Sequence, residues 1–127
     1  MAPDPFQYLV LRVVPRVERE EFLNAGVVLF CRAQGFLAAR VGLDRGALAA
    51  LAPHADAEAI IRALEALVAV AAGTAEAGAL GRLDLSERFH WLAAPSSTVL
   101  QRSSVHSGVC ADPAATLERL FAATVSR

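Results

Sequence analysis

Lysine is absent from this chain of 127 residues, and all twelve basic side chains are arginine. A GxxxxGK[ST] phosphate loop, whose lysine reaches the phosphates, is therefore excluded. Thirteen acidic residues leave a formal charge of −1, so no long-range field draws the chain towards nucleic acid or an anionic membrane. The arginine bias, alongside abundant alanine, reads as genome composition and not as phosphate recognition. Cysteine is scarce, with Cys31 and Cys110 alone, and no CxxC, HxH or HExxH spacing marks a metal site among His54, His90, His106, Cys110 and Asp112. Long apolar runs are missing too. The most apolar helix candidate is interrupted by Glu58, Arg62 and Glu65, leaving Ala66–Ala72 uncharged where a membrane span needs about 20 residues. Asp4 stands where the basic region of a secretion signal belongs. These absences predict a cytoplasmic protein of one domain, residues 1–127, with no membrane segment, no metal and no cofactor. Its two cysteines read as reduced thiols, a Cys31–Cys110 disulfide being the lesser alternative.

What is present is aliphatic. A hydrophobic fraction of 55% with 20% charge excludes disorder and leaves apolar surface for an interface, with a second copy or another protein. Phe6–Val14 is rich in aromatic and branched residues and reads as a central strand, apolar on both sides. A polar connection follows. Val27–Arg32 and Phe36–Val41 then form a hairpin around Gln34-Gly35. Asp44 caps a short helix to about Leu51. Asp56 caps a second, with Ile60, Leu64, Leu67, Val68 and Ala71 on one face and Glu58 poised to pair with Arg62. The glycine-rich stretch from Gly73 to Gly81 reads as a loop. Asp112, Pro113 and the stripe Leu117, Leu120, Phe121, Val125 mark a final helix. The fold class is α+β, a largely antiparallel sheet with a helical middle segment and a C-terminal helix.

"FHWLAAPSSTVLQRSSVHSGVCADP" (Phe89–Pro113) collects the only Trp, two of three His and five of seven Ser. Asp84 and Glu87 resemble a capping box, which suits a helix over Leu85–Ala94, while the alternation of Phe89 and Trp91 about His90 suits a strand equally well. Thr98–Gln101 and Val105–Cys110 are expected to pair as a hairpin around Arg102-Ser103-Ser104. On its second strand His106, Gly108 and Cys110 share one face and Val105, Ser107 and Val109 the other. His106 and Cys110 then lie about 13 Å apart, too far for a nucleophile pair. Trp91 with Arg88 and Arg102 gives only thin support for stacking a nucleic-acid base. Asn24 and Gly26, before the second strand, read either as backbone that touches a ligand or as a bulge leading into the strand.

Taken together, "YLVLRVVPRVEREEFLNAGVVLF", "FHWLAAPSSTVLQ" and "VHSGVCADP" resemble the bacterial family catalogued as domain of unknown function 3037. The positions that carry the resemblance are Glu21, Phe22, Asn24, Gly26, Phe89, Trp91, Ser97, Thr98, His106, Gly108 and Cys110. The resemblance implies no established activity. It implies basic residues at 90 and between Pro95 and Ser97, where His90 and Ser96 stand, which argues against anion binding. Genes of that family sometimes stand beside those for kinases similar to the HipA toxin kinase, so the resemblance also implies a partner or regulator of such a kinase.

Two functions follow from this reading. The first is an accessory or regulatory module that binds another protein in a 1:1 or 2:2 complex through a surface around Trp91, Thr98 and His106. The alternative is an enzyme or ligand-binding domain between the Glu21–Gly26 bend and the Phe89–Cys110 stretch. There Glu21 or His106 would act as acid or base, and Arg12, Asn24, Thr98 and Gln101, with His90 and Ser97 close in sequence, would orient a polar substrate.

Overall fold

The computed structural model describes residues 2–16, 21–96 and 98–125. The polar connection before Glu21 and the expected site residue Ser97 lie outside these. Five strands and four α-helices follow one another as β1 (Asp4–Val13), β2 (Leu23–Cys31), β3 (Phe36–Val41), α1 (Arg45–Leu51), α2 (Ala57–Ala72), α3 (Leu85–Ala93), β4 (Leu100–Arg102), β5 (His106–Cys110) and α4 (Pro113–Thr124). All pairings are antiparallel. The α+β expectation is met.

β1 is the centre of the sheet. It pairs with β2 on one side and with both β4 and β5 on the other, and β3 pairs outside β2. Its side chains alternate between two cores. Leu9, Leu11 and Val13 pack with α1, α2 and α3 through Leu48, Ile60, Leu64, Phe89 and Leu92. Phe6 packs on the opposite face with Val27, Leu29, Cys31, Cys110 and the α4 residues Leu117 and Phe121. Burial on both faces explains why β1 and β2 read as apolar runs rather than as alternating patterns. Phe30 stacks on Phe89 at 5.0 Å, which seats α3 on β2.

The helix starts follow their caps. Asp44, Asp56, Asp84 and Asp112 each accept a hydrogen bond from the backbone N–H three residues on, at 2.8–3.1 Å. Each cap is worth about 1 kcal/mol. α2 buries Val70 in place of the expected Val68. Glu58 meets Arg45 of α1 at 2.7 Å in place of Arg62. Gly73 ends α2 in the left-handed conformation (φ 72°). Beyond it, the stretch expected as a loop forms two 3-10 turns across Ala75–Arg82, kinked at Gly78. No single helix among the described residues is long and apolar enough to cross a membrane.

The expected late hairpin does not form. β4 and β5 never pair with each other, and both run along β1 as one interrupted edge strand. Leu11 faces Arg102 and Tyr8 faces His106, so Ser103, Ser104 and Val105 stand against only Leu9 and Val10. That surplus residue is a bulge. Buried Ser103 holds it in place. Its N–H donates to Val10 O (2.9 Å), while its Oγ accepts from Val10 N and donates to Ser104 O, each at 2.8 Å. A serine hydroxyl thus does the work of the missing backbone carbonyl, and the chain continues straight where a turn was expected.

A second bulge lies on the other side of β1. The register slips between Leu11 and Arg12, with Leu11 facing Gly26 and Arg12 facing Asn24, so Ala25 is surplus. A Cβ added to buried Gly26 would come within 2.9 Å of both Arg40 O and Val41 Cγ1. Gly26→Ala is expected to cost about 1–3 kcal/mol through overpacking. Urea unfolding would show it as a lower midpoint with an unchanged slope.

Candidate functional site

α4 lies over β2 and β3. On that same face, β1 and the edge strand carry half-buried Tyr8, Arg12 and Gln101 and exposed His106. Arg12 stands directly between Asn24 on β2 and Gln101 on β4. Its guanidinium lies 4.4 Å from the centroid of the Phe22 ring, which is 47% exposed. Asn24 Nδ2 donates to Thr124 O at the end of α4 (3.1 Å). Arg12 Nε and Asn24 Oδ1 are buried without a hydrogen-bond partner. A buried orphan polar atom costs about 1–3 kcal/mol.

Gln101 and Thr98 are engaged locally. Gln101 Nε2 donates to Thr98 O, and Thr98 Oγ1 bonds Leu100 O and shares a hydrogen with Ser96 Oγ at 2.8 Å. Glu21 is half-buried at the approach to β2. The structure therefore gathers Arg12, Asn24, Gln101 and Thr98 at one corner of the sheet, with Glu21 in the approach to it.

Other expected site residues fall elsewhere. His106 faces Tyr8, with ring centroids 5.2 Å apart, two pleats along β1 from Arg12. Cys110 is buried beneath α4 while His106 is exposed. His90 and Trp91 (40% exposed) sit on α3, across the sheet from His106. Trp91, Thr98 and His106 consequently do not form one surface. Gly26 is sealed between Leu11, Val41 and Arg40 O, so its backbone offers a ligand no approach.

An apolar groove of about 440 Å³ runs between the start of α2 and Thr98–Leu100, lined by Pro15, Ala59, Ile60 and Val99. Among its described lining residues the one charged side chain, Asp56, is already committed as the α2 cap. Among the described residues no three of His, Cys, Asp and Glu converge as metal ligands would.

The feature that sequence reasoning missed is the outer edge of β5. Among the described strands β5 pairs only with β1, so its other side presents backbone groups without a strand partner. Val105 and Val109 flank this edge at 40% and 67% exposure, on the face shared with α3. Beside it lies a groove of about 380 Å³ lined by Pro5, Gln7, Phe30, Arg32 and Ser107. Arg32 sits 5.3 Å over the Phe30 ring. The signal was in the sequence. From Ser103 to Ala111 there is no Lys, Arg, Asp, Glu or Pro, the residues with which exposed edges are ordinarily blunted.

An antiparallel sheet held between three helices and one helix makes this an α+β protein of two cores. The chain belongs to the family described as protein of unknown function (DUF3037), whose sequence pattern matches residues 8–125 and so spans all three of the motifs that carried the resemblance. No curated protein matches the chain, and neither does any solved structure.

The two thiols are free and buried side by side in the core under α4. Burial raises the Cys31 pKa above its ordinary value of 9.0. Cys110 and Asp4 add to the rise, and a hydrogen bond from the Gln34 backbone opposes it. Folding thus favours the protonated thiol. At neutral pH, well below the ordinary thiol value, both folded and unfolded Cys31 hold the proton, and stability does not depend on it. As pH rises further the unfolded chain binds fewer protons than the folded one, so the free energy of unfolding falls. Urea midpoints measured from neutral to alkaline pH should drop above about pH 9, and the drop should be shallower in Cys31→Ala.

Proposed function

We propose that this chain is an accessory protein-binding module of the bacterial cytoplasm whose recognition element is the outer edge of β5. An extended segment of the partner adds to Val105–Cys110 as a further strand. Its backbone takes up the unpaired N–H and C=O groups, and its alternate side chains meet Val105, Val109 and the groove at Arg32. The observation that carries this reading is an exposed strand edge without any protecting charge, flanked by two exposed valines. The association implied for the family makes kinases similar to the HipA toxin kinase the first partners to try.

A second reading rests on the row Asn24–Arg12–Gln101. Three polar side chains abreast on adjacent strands, with orphaned polar atoms on two of them, suit a small polar ligand. A compound that raises the melting temperature of the native chain but not of Gln101→Ala would support it.

The two readings separate in one experiment. Affinity capture from the native host, with each bait checked for native circular dichroism, should yield a partner that Val109→Lys reduces by about tenfold or more. Trp91→Ala should retain it. Full capture by folded Val109→Lys would remove the β5 edge as the recognition element.

A further inference from the structure

We infer that, in the absence of another partner, the β5 edge is occupied by the β5 edge of a second copy of this chain, antiparallel about a two-fold axis at Ser107. This rests on the reading of that edge as a strand acceptor and names its resting occupant.

Self-complementarity selects the second copy. Pairing identical strands antiparallel about Ser107 sets Val105 opposite Val109 of the second copy, and Val109 opposite its Val105. The two largest apolar exposures on the edge, 40% and 67%, thus cover one another twice over on the face shared with α3. No neighbouring register achieves this. An axis at His106 would set Val109 opposite Ser103, and an axis at Gly108 would set Val105 opposite Ala111.

The other face agrees. About Ser107, His106 stands opposite Gly108 of the second copy. Gly108 has no room for a Cβ on its own sheet, because one would fall 2.8 Å from the Phe6 ring. Gly108 therefore brings no side chain of its own into the path of the second copy's imidazole, which meets the Phe6 ring instead. Charge agrees as well. The paired segment carries no formal charge, and its flanks are Arg102 before and Asp112 after. Antiparallel pairing brings each flank of one copy towards the unlike flank of the other, where parallel pairing would bring like to like.

The consequence is regulatory. Dimerisation closes the edge to other proteins, so capture of a partner and self-association compete, and each weakens as the other is driven.

Disulfide trapping tests the geometry on the full chain. Across the axis the two Ser107 Cα atoms would lie about 4.5–5.5 Å apart, inside the range a disulfide spans. In Ser107→Cys, diamide should take two hydrogens from two thiols and leave a covalent dimer on a non-reducing gel. Val109→Cys alone should give about tenfold less, since its twin lies four residues along the strand, about 13 Å away. An equal mixture of Val105→Cys and Val109→Cys should restore the dimer. Wild type, with Cys31 and Cys110 buried, is the background.

No dimer from Ser107→Cys, or equal dimer from all three variants, would overturn the proposal. So would a wild-type chain that sediments as a monomer at the trapping concentration. The two ideas also fail separately. The trapping pattern with full partner capture by Val109→Lys would keep the dimer and discard edge recognition. Loss of capture in Val109→Lys without any trapping would do the reverse.

Discussion

The structure depends on the demand that β1 be satisfied on four sides at once. Both faces are buried, under three helices on one and against the core of α4 on the other. Both edges are paired. Leu9, Leu11 and Val13 are 0–1% exposed, and burying side chains of this kind is worth about 1.5–3 kcal/mol each. A strand so enclosed cannot leave backbone groups unpaired. At Val10, where the edge strand bulges away, Ser103 supplies the missing acceptor. That one hydroxyl lets a chain of two short strands serve as a single edge, and so decides that β5 ends at the margin of the sheet.

Local chemistry was legible from the sequence and distant pairing was not. The four aspartate caps could be read because a cap and its target are three residues apart. The β2–β3 hairpin could be read because Gly35 (φ 60°) supplies the left-handed turn within the hairpin itself. The late segment misled for the same reason. Arg102-Ser103-Ser104 has the composition of a turn, and only the presence of Val10, some ninety residues earlier, converts it into a bulge. Val68 and Val70 show the finer limit. Both suit the apolar side of α2, and the choice between them belongs to the sheet beneath.

The candidate residues divide in the same way. Trp91 and His106 stand out by chemical type, which carries no information about which face of the sheet they occupy. Arg12, Asn24 and Gln101, which the sequence offers as groups to orient a polar substrate, stand abreast on adjacent strands. The β5 edge was overlooked because its signal is an absence of charge, and an uncharged segment looks like an interior strand until its neighbours are known.

The two bulges also act as phase shifts. Each inserts one residue beside the same stretch of β1, and a one-residue slip exchanges which neighbour stands beside Arg12. In the unbulged register Arg12 would be flanked by Ala25 and Arg102. With both slips it is flanked by Asn24 and Gln101. Were the full segment to pair without its bulge, one guanidinium would stand beside another and a repelling charge would replace the neutral amide at that corner. Removing a residue from the Ser103–Val105 stretch has no such effect, because two residues then stand against Leu9 and Val10 and Gln101 keeps its place beside Arg12. The looped-out residue is thus what holds two like charges apart, and the neighbours of Arg12 are set by backbone count as much as by side-chain type.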